Sequence, residues 1–348
     1  MHSSQNDLQP NDDSHAIQEY IQMLQPYFDI DGVNEIVINK PGEIITETRN
    51  GWKYHEDKNM NLDACLDMAK LTANYSDQRI SEQEPLLSAT LPLGERIQIV
   101  QPPATLPGRV SMTIRKPSNV IMTLQDWRNQ GAFDDVIGEV LELRPLEKEL
   151  LALHKARDYE SFLDMAVKNR LNVVLSGATG SGKTTFMRSL MQLIPQDERL
   201  ISIENVNEAR LYETHPNVVP LFYSANNQGK SNVTQQLLLE SALRMRPDRV
   251  FCAELIKGDE AFYYLRNVNS GHPGSMTTMH SESADLAIEQ LGLFIKESQS
   301  GQTLAREDIR KLLFMCIDVV VQIKRHNGRR YISEIKYDPQ YKRQLLAA

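Results

Sequence analysis

The sequence predicts an α/β protein: a mainly parallel sheet covered on both faces by helices, preceded by a smaller α+β module. Three observations predict it. From residue 171 onward, short apolar runs alternate with amphipathic stretches, the order that builds a parallel sheet. Within that region an apolar run, Leu171-Asn-Val-Val-Leu-Ser176, leads into Gly177-Ala-Thr-Gly-Ser-Gly-Lys-Thr184 and then into a helical pattern. This is the phosphate-binding motif G-x-x-x-x-G-K-[ST] set between a strand and a helix. Finally, 348 residues exceed what one core usually organises, so two domains are expected.

The elements follow in order. Residues 1–15 are polar and expected to be disordered. Ile17, Tyr20, Ile21 and Leu24 recur at helical spacing up to Phe28. Val33–Asn39 alternates as a strand, Pro41-Gly42 turns, and Glu43–Arg49 returns. Leu62–Tyr75 is an amphipathic helix with Asn61 placed as its cap. Arg96–Val100 and Val110–Lys116 are two further strands. Together these make an N-terminal α+β domain over 16–120. A short helix around Leu124–Gln130 lies in a linker, 121–145. The C-terminal domain, 146–348, opens with helices at Leu146–Leu153 and Tyr159–Val167. After the glycine loop come helix Thr184–Leu193, strands Arg199–Ile203 and Val218–Phe222, helix Val233–Leu243, strand Arg249–Ala253, helix Asp259–Asn267, strand Ser275–Thr278 and helix Ala284–Lys296. A helix over 305–316 precedes a hairpin of Ile317–Lys324 and Tyr331–Tyr337. Its turn is His326-Asn327-Gly328, since Asn-Gly favours the tight hairpin turn.

The charge balance narrows the function classes. The net charge is −8, whereas a tight, sequence-blind DNA binder is normally basic; direct nucleic-acid binding is not expected as the main role. Cys65, Cys252 and Cys316 are odd in number and far apart, so neither a disulfide framework nor a zinc site is implied and a reducing cytoplasm fits best. The N-terminus lacks an apolar signal core, and no apolar run approaches the roughly 18 residues of a membrane span. The expected protein is soluble, or held at a membrane only through partners.

The residue types of the loop define its chemistry. Gly177, Gly180 and Gly182 let the backbone turn tightly and approach an anion. The N–H groups of Gly177, Ala178, Thr179, Gly180, Ser181, Gly182, Lys183, Thr184 and Thr185, with the positive end of the next helix, can cradle the phosphates of a nucleoside triphosphate. Lys183 is placed to reach the β and γ oxygens, and the Thr184 hydroxyl to meet Mg²⁺. Hydrolysis also needs acids and positive charge near the γ-phosphate. Arg249-Val-Phe-Cys-Ala-Glu254 is an apolar strand ending in a carboxylate, at the sheet edge where Mg²⁺ would be held. Ile201-Ser-Ile-Glu204 is a second such strand, and Glu208 follows four residues on, where a merely solvated glutamate is the alternative. His272 and His280 flank a glycine turn and a strand. That strand could carry His280 to the γ-phosphate as a hydrogen-bond donor; structural histidines are the alternative, and a metal pair lacks a third ligand nearby.

Taken together, Ser176–Thr185, Ile203-Glu-Asn-Val-Asn-Glu-Ala-Arg-Leu211, His215-Pro-Asn217, Leu243-Arg-Met-Arg-Pro-Asp-Arg249, Ala253-Glu-Leu255 and Gly271-His-Pro-Gly-Ser-Met-Thr-Thr-Met-His280 resemble the secretion ATPases, in the order phosphate loop, aspartate box, Walker B and histidine box. Gly94-Glu-Arg-Ile-Gln-Ile99 and Ser111-Met-Thr-Ile-Arg-Lys-Pro-Ser118 are similar to the traffic ATPases of type IV secretion, the VirB-type branch. The resemblance implies a RecA-like C-terminal domain and a homo-hexamer peripheral to the inner membrane on its cytoplasmic side. Its implied partners are inner-membrane components and other ATPases of the secretion system, with ATP between the two domains. It implies that Glu204 and Glu254 hold Mg²⁺, that Glu208 is the general base, that Glu254 is the Walker B acid and that His280 senses the γ-phosphate. Arg115, with Arg96 or Arg109 as further candidates beside it, would reach over the nucleotide, a role that suits a permanently charged guanidinium. The implied function couples ATP hydrolysis to pilus assembly and to transfer of DNA or protein. A nucleotide-gated scaffold with incidental hydrolysis is the alternative. Two positions depart from the family pattern: Asn205, often Asp, and Ile256, often Arg.

Overall fold

An apolar stripe at Ile17, Ile21, Leu24 and Phe28 makes one side of helix α1 (Asp12–Phe28) a core face, and all four side chains are buried. The protein is described by a computed structural model over residues 12–117, 121–136, 142–224 and 229–347; the expected disorder of 1–15 therefore lies largely outside the described residues, and α1 begins at Asp12. The chain divides into two compact units. In the first, α1 and α2 (Leu62–Tyr75) pack on a six-stranded antiparallel sheet with the order β3-β2-β1-β6-β5-β4. Its strands are β1 (Glu35–Ile38), β2 (Glu43–Thr48), β3 (Gly51–Glu56), β4 (Leu86–Thr90), β5 (Arg96–Val100) and β6 (Ser111–Arg115). Asn61 caps α2 as expected, its Oδ1 accepting from the Ala64 N–H at 3.0 Å. The strands β3 and β4 carry no expectation in the sequence. They are the two sheet edges, and Gly51-Trp-Lys-Tyr-His-Glu56 has no buried face to make an alternating pattern.

The first unit also takes in two later segments, 224–233 and 244–246, which a contiguous division of the chain cannot express. They meet its edge strands. Arg246 grips the Glu47 carboxylate through two nitrogens, with Nε at 2.9 Å, and its guanidinium lies 5.5 Å from the Trp52 ring. Arg244 donates to Ser88 Oγ at 3.0 Å, and the Asn232 N–H to the Gln83 carbonyl at 3.2 Å.

The second unit has the layered α/β architecture that the alternation predicts. Helices α3 (Leu124–Asn129), α4 (Pro145–Ala156) and α5 (Tyr159–Lys168) precede β7 (Val173–Ser176) and α6 (Lys183–Met191). Strands β8 (Leu200–Glu204) and β9 (Val218–Phe222), helix α7 (Gln235–Ala242), β10 (Arg249–Glu254), α8 (Gly258–Val268), β11 (Met276–Met279), α9 (Ala284–Glu297) and α10 (Arg306–Cys316) follow. The chain closes with β12 (Val319–His326), β13 (Arg329–Lys336) and a helix with no sequence expectation, α11 (Pro339–Ala347). The sheet order is β13-β12-β7-β11-β10-β8-β9, parallel throughout except for the antiparallel edge β13. At the hairpin turn Asn327 and Gly328 both have positive φ, +48° and +79°, as the tight hairpin turn demands.

The amino ends of the parallel strands are tied by buried polar groups. Asn172 Oδ1 accepts from the Gly274 and Ser275 N–H groups at 2.9 and 3.0 Å, while its Nδ2 donates to the Cys316 carbonyl at 2.8 Å. Arg249 is fully buried and grips Glu198 with Nε at 2.5 Å and Nη2 at 2.9 Å; its Nη1 donates to the Val167 carbonyl at 2.7 Å. Breaking a buried pair leaves an uncompensated charge. Arg249→Met is expected to lower unfolding stability by about 3–5 kcal/mol in urea denaturation. A loss below about 1 kcal/mol would mean that Arg170, 3.4 Å from Glu198, carries the pair alone.

Candidate functional site

Strand β7 is buried between β11 and β12, and the chain must turn sharply as it leaves the sheet. A Cβ on Gly177 would come within 2.3 Å of the Ile323 carbonyl oxygen of β12 and 2.8 Å of Ser181 Oγ, so only glycine fits. Gly180 and Gly182 have φ of +72° and +101°, the left-handed region that costs other residues. Gly182 is the N-cap of α6 and supplies no side-chain acceptor, which leaves the first N–H groups of that helix for an external one. Ser181 Oγ is buried without a hydrogen-bond partner. An anion at this turn satisfies these donors, and the positive helix end favours it. The residues present therefore fit the phosphates of a nucleotide.

Lys183, the first residue of α6, is 7% exposed. Its Nζ donates to the Gly177 and Ala178 carbonyls at 2.8 and 3.2 Å and lies 3.3 Å from His280 Nδ1. Burial pushes the lysine pKa down, and the charge of Glu254 pulls the other way. His280 Nε2 is 2.8 Å from Glu254 Oε1. An ammonium only donates, so Nδ1 accepts and Nε2 carries the hydrogen given to the carboxylate. Strand order makes this chain possible. β11 lies between β7 and β10, and Met279 is level with Ser176, so the residue after β11 meets the glycine loop. The β10–β11 register shifts between Cys252 and Glu254, a bulge that re-aims the glutamate. Thr278 holds it, Oγ1 donating to the Ala253 carbonyl at 2.6 Å.

Glu204 is 1% exposed and already has three donors. Its Oε2 accepts from the Glu208 and Ala209 N–H groups at 2.9 and 2.8 Å, and its Oε1 from Ser202 Oγ at 2.7 Å. These bonds fold the segment after β8 and set the backbone of Glu208, whose side chain is exposed. Thr184 is half-buried in the first turn of α6. Among the described residues no three His, Cys, Asp or Glu side chains converge as a metal cage. Mg²⁺ held through one or two protein oxygens and the substrate phosphates needs none, and Thr184 with Glu254 fits that donor set.

Arg115 belongs to the first unit, where its Nε is 3.7 Å from Glu35 and Arg96 is its partner across β5–β6. His272 sits at the opposite end of β11 from His280, its Nδ1 at 3.1 Å from the Pro247 carbonyl, so the two histidines do not form a metal pair. His215 is buried, Nε2 at 3.2 Å from the Ile194 carbonyl. Ile256 is 53% exposed, and its N–H donates to Glu260 Oε2 at the start of α8. Gln322 carried no motif. It sits on β12 level with Ser176, and its Nε2 donates to the Ser281 carbonyl at 2.9 Å, pinning the residue after His280. A buried glutamine inside Val319–Ile323, an otherwise apolar strand, is the sequence signal for it.

A family model described as "Type II/IV secretion system protein" matches residues 24–329. The chain belongs to the type II/IV secretion system protein family. The type IV secretion system protein VirB11 of Bartonella henselae is 44% identical to it over 337 residues, 94% of either chain. The VirB11 of Bartonella quintana is 46% identical over 323 residues, 90% of either chain. A crystal structure of the VirB11 ATPase from the Brucella suis type IV secretion system, in complex with sulphate, matches at a TM-score of 0.89 and 44% identity, covering 94% of this chain and 99% of that one. The fold of this family member is thus the mixed α/β, two-domain one that the sequence predicts.

Two outcomes test the geometry of Lys183 and His280. Because burial lowers the folded lysine pKa below its unfolded value, the unfolded chain binds more protons between the two, and stability rises with pH in that window. Lys183→Met should melt no lower than wild type at neutral pH and lack the alkaline gain in urea denaturation. In long-range ¹H–¹⁵N spectra at pH 8, His280 should be the Nε2–H tautomer; the Nδ1–H form would contradict the donor order drawn above.

Proposed function

We propose that this chain is the ATP-hydrolysing motor of a type IV secretion or conjugation system. In this reading it is a Mg²⁺-dependent ATPase that assembles as a homo-hexamer at the cytoplasmic face of the inner membrane. There it engages inner-membrane components and other ATPases of the system and couples hydrolysis to pilus assembly and to transfer of DNA or protein. The observation that carries the reading is the Lys183–His280–Glu254 chain beneath a loop built to take phosphate. The VirB11 relatives support the secretion context. No helix among the described residues is long and apolar enough to cross a membrane, so attachment in this reading runs through partners.

Each residue has a task. Lys183 exchanges the Gly177 and Ala178 carbonyls for the β- and γ-phosphate oxygens of ATP. His280 then loses the donor at Nδ1 and reports that change to Glu254 through Nε2. Glu208 takes a proton from the attacking water, which breaks the bond from the γ-phosphorus to the β–γ bridging oxygen and gives ADP and phosphate. Mg²⁺, held by Thr184 and Glu254, would neutralise charge on the phosphate oxygens. Glu204 orders the Glu208 segment, and Arg115 is the candidate for the further positive charge that the transition state needs.

Steady-state phosphate release with Mg·ATP tests this. Lys183→Ala should lose at least about a hundredfold in kcat/KM, equivalent to roughly 3 kcal/mol of lost transition-state stabilisation. Glu208→Gln should fall by about 10²–10⁴ in kcat while still binding Mg·ATP. Undiminished turnover in Lys183→Ala excludes the proposal. Sedimentation velocity should show a six-subunit species; a strict monomer with nucleotide present would remove the ring.

A further inference from the structure

His280 is the most exposed member of its chain: its side chain is 48% exposed, against 34% for Glu254. It lies one residue beyond the end of β11. Packing therefore does not hold the imidazole, and its place depends on the backbone that carries it. Three residues, Ser281-Glu282-Ser283, join His280 to α9. The β12–β13 hairpin holds this turn at both ends. Gln322 Nε2 donates to the Ser281 carbonyl at 2.9 Å, and Glu334 Oε2 accepts from the Ala284 N–H at 3.0 Å. Gln322 and Glu334 are directly paired across the hairpin, so one cross-strand pair grips the whole turn. Because β7 lies between β12 and β11, the Gln322 bond spans the end of the strand that becomes the phosphate loop. Gln322 is 1% exposed, and its Oε1 is buried with no donor among the described residues. Burying such a group is costly. A position that only needed filling would be apolar, as Val319, Val320, Val321 and Ile323 are.

We infer that Gln322 and Glu334 form a clamp that positions His280 against Lys183 and Glu254, and so sets turnover without touching the nucleotide. The inference rests on the ATPase reading and adds what fixes His280. A glutamate at the first N–H of α9 is by itself an ordinary helix cap. Its cross-strand partner distinguishes it. The pair supplies one donor and one acceptor to a single turn, where a carboxylate alone could only accept. Ser281 Oγ donates to the Ser283 carbonyl at 3.2 Å, so the turn moves as a unit. Removing either member of the pair leaves that unit hinged at one end. The imidazole is then free to leave Lys183 Nζ and Glu254 Oε1.

Steady-state phosphate release with Mg·ATP and long-range ¹H–¹⁵N spectra of the full chain, read together, test this. Gln322→Met keeps the length of the side chain and removes the donor. It should lower kcat by about ten- to hundredfold, the scale of a small displacement at a reacting site, and leave KM within about threefold. Mg·ADP, which lacks the γ-phosphate, should bind as it does to wild type. In this variant His280 should change from the single Nε2–H tautomer to a mixture, while the buried His215 keeps its resonances. Glu334→Leu should do the same. Glu334→Gln should not, because a carboxamide oxygen still accepts from the Ala284 N–H. That rescue separates a hydrogen bond from the filling of space. If Gln322→Met does not fold, the two variants at half-buried Glu334 carry the test. A fall in kcat with the His280 resonances unmoved overturns the clamp, and so does a moved His280 with kcat intact. Equal impairment of Glu334→Gln and Glu334→Leu also overturns it. If wild type releases no phosphate from Mg·ATP, the ATPase reading fails, and the His280 spectra still decide whether the pair holds the imidazole.

Discussion

The site depends on one buried ammonium group. Lys183 is taken out of water at the first turn of a helix, where the local field is positive and a cation is disfavoured. Two loop carbonyls and one imidazole nitrogen compensate it. Those three acceptors arise because Gly177 bends the chain back over the lysine and because β11 ends level with β7. The glycines, the strand order and the tautomer of His280 are therefore the conditions for placing one positive charge where an anion can later share it.

The two ends of the parallel sheet divide the labour. At the amino ends, Asn172 staples the starts of β7, β11 and β12, and Arg249 with Glu198 fills a buried gap. These groups have their hydrogen bonds satisfied within the protein, and their value is rigidity. At the carboxyl ends, a bulge at Glu254, orphaned donors near Ser181 and an exposed Glu208 leave bonding capacity unspent. Open sheets of this kind place ligands at the carboxyl edge, and the asymmetry here explains why: one end is closed by its own bonds and the other is not.

The sheet and its loop were legible because β7, β8, β10 and β11 are apolar runs bounded by glycine, carboxylate or histidine, so periodicity and punctuation agreed. Strand β3 was not, because an exposed edge imposes no alternation, and α11 was not, because its burial depends on partners distant in sequence. Lys183, Glu254 and His280 were readable from motif spacing, and the structure brings them together. Two of the three bonds that occupy Glu204 were not readable, since they come from backbone N–H groups that carry no residue signature. Gln322 acquires meaning only through cross-strand register, which the sequence does not display.

The two returning segments, 224–233 and 244–246, set an order of events on the ribosome. The first six strands emerge early, but Glu47 and Trp52 wait for Arg246, and Ser88 waits for Arg244. Until translation has passed that point, Glu47, Trp52 and Ser88 lack those arginine contacts. The amino-terminal module is thus finished by residues made after the glycine loop, and its maturation is timed by the synthesis of the other half.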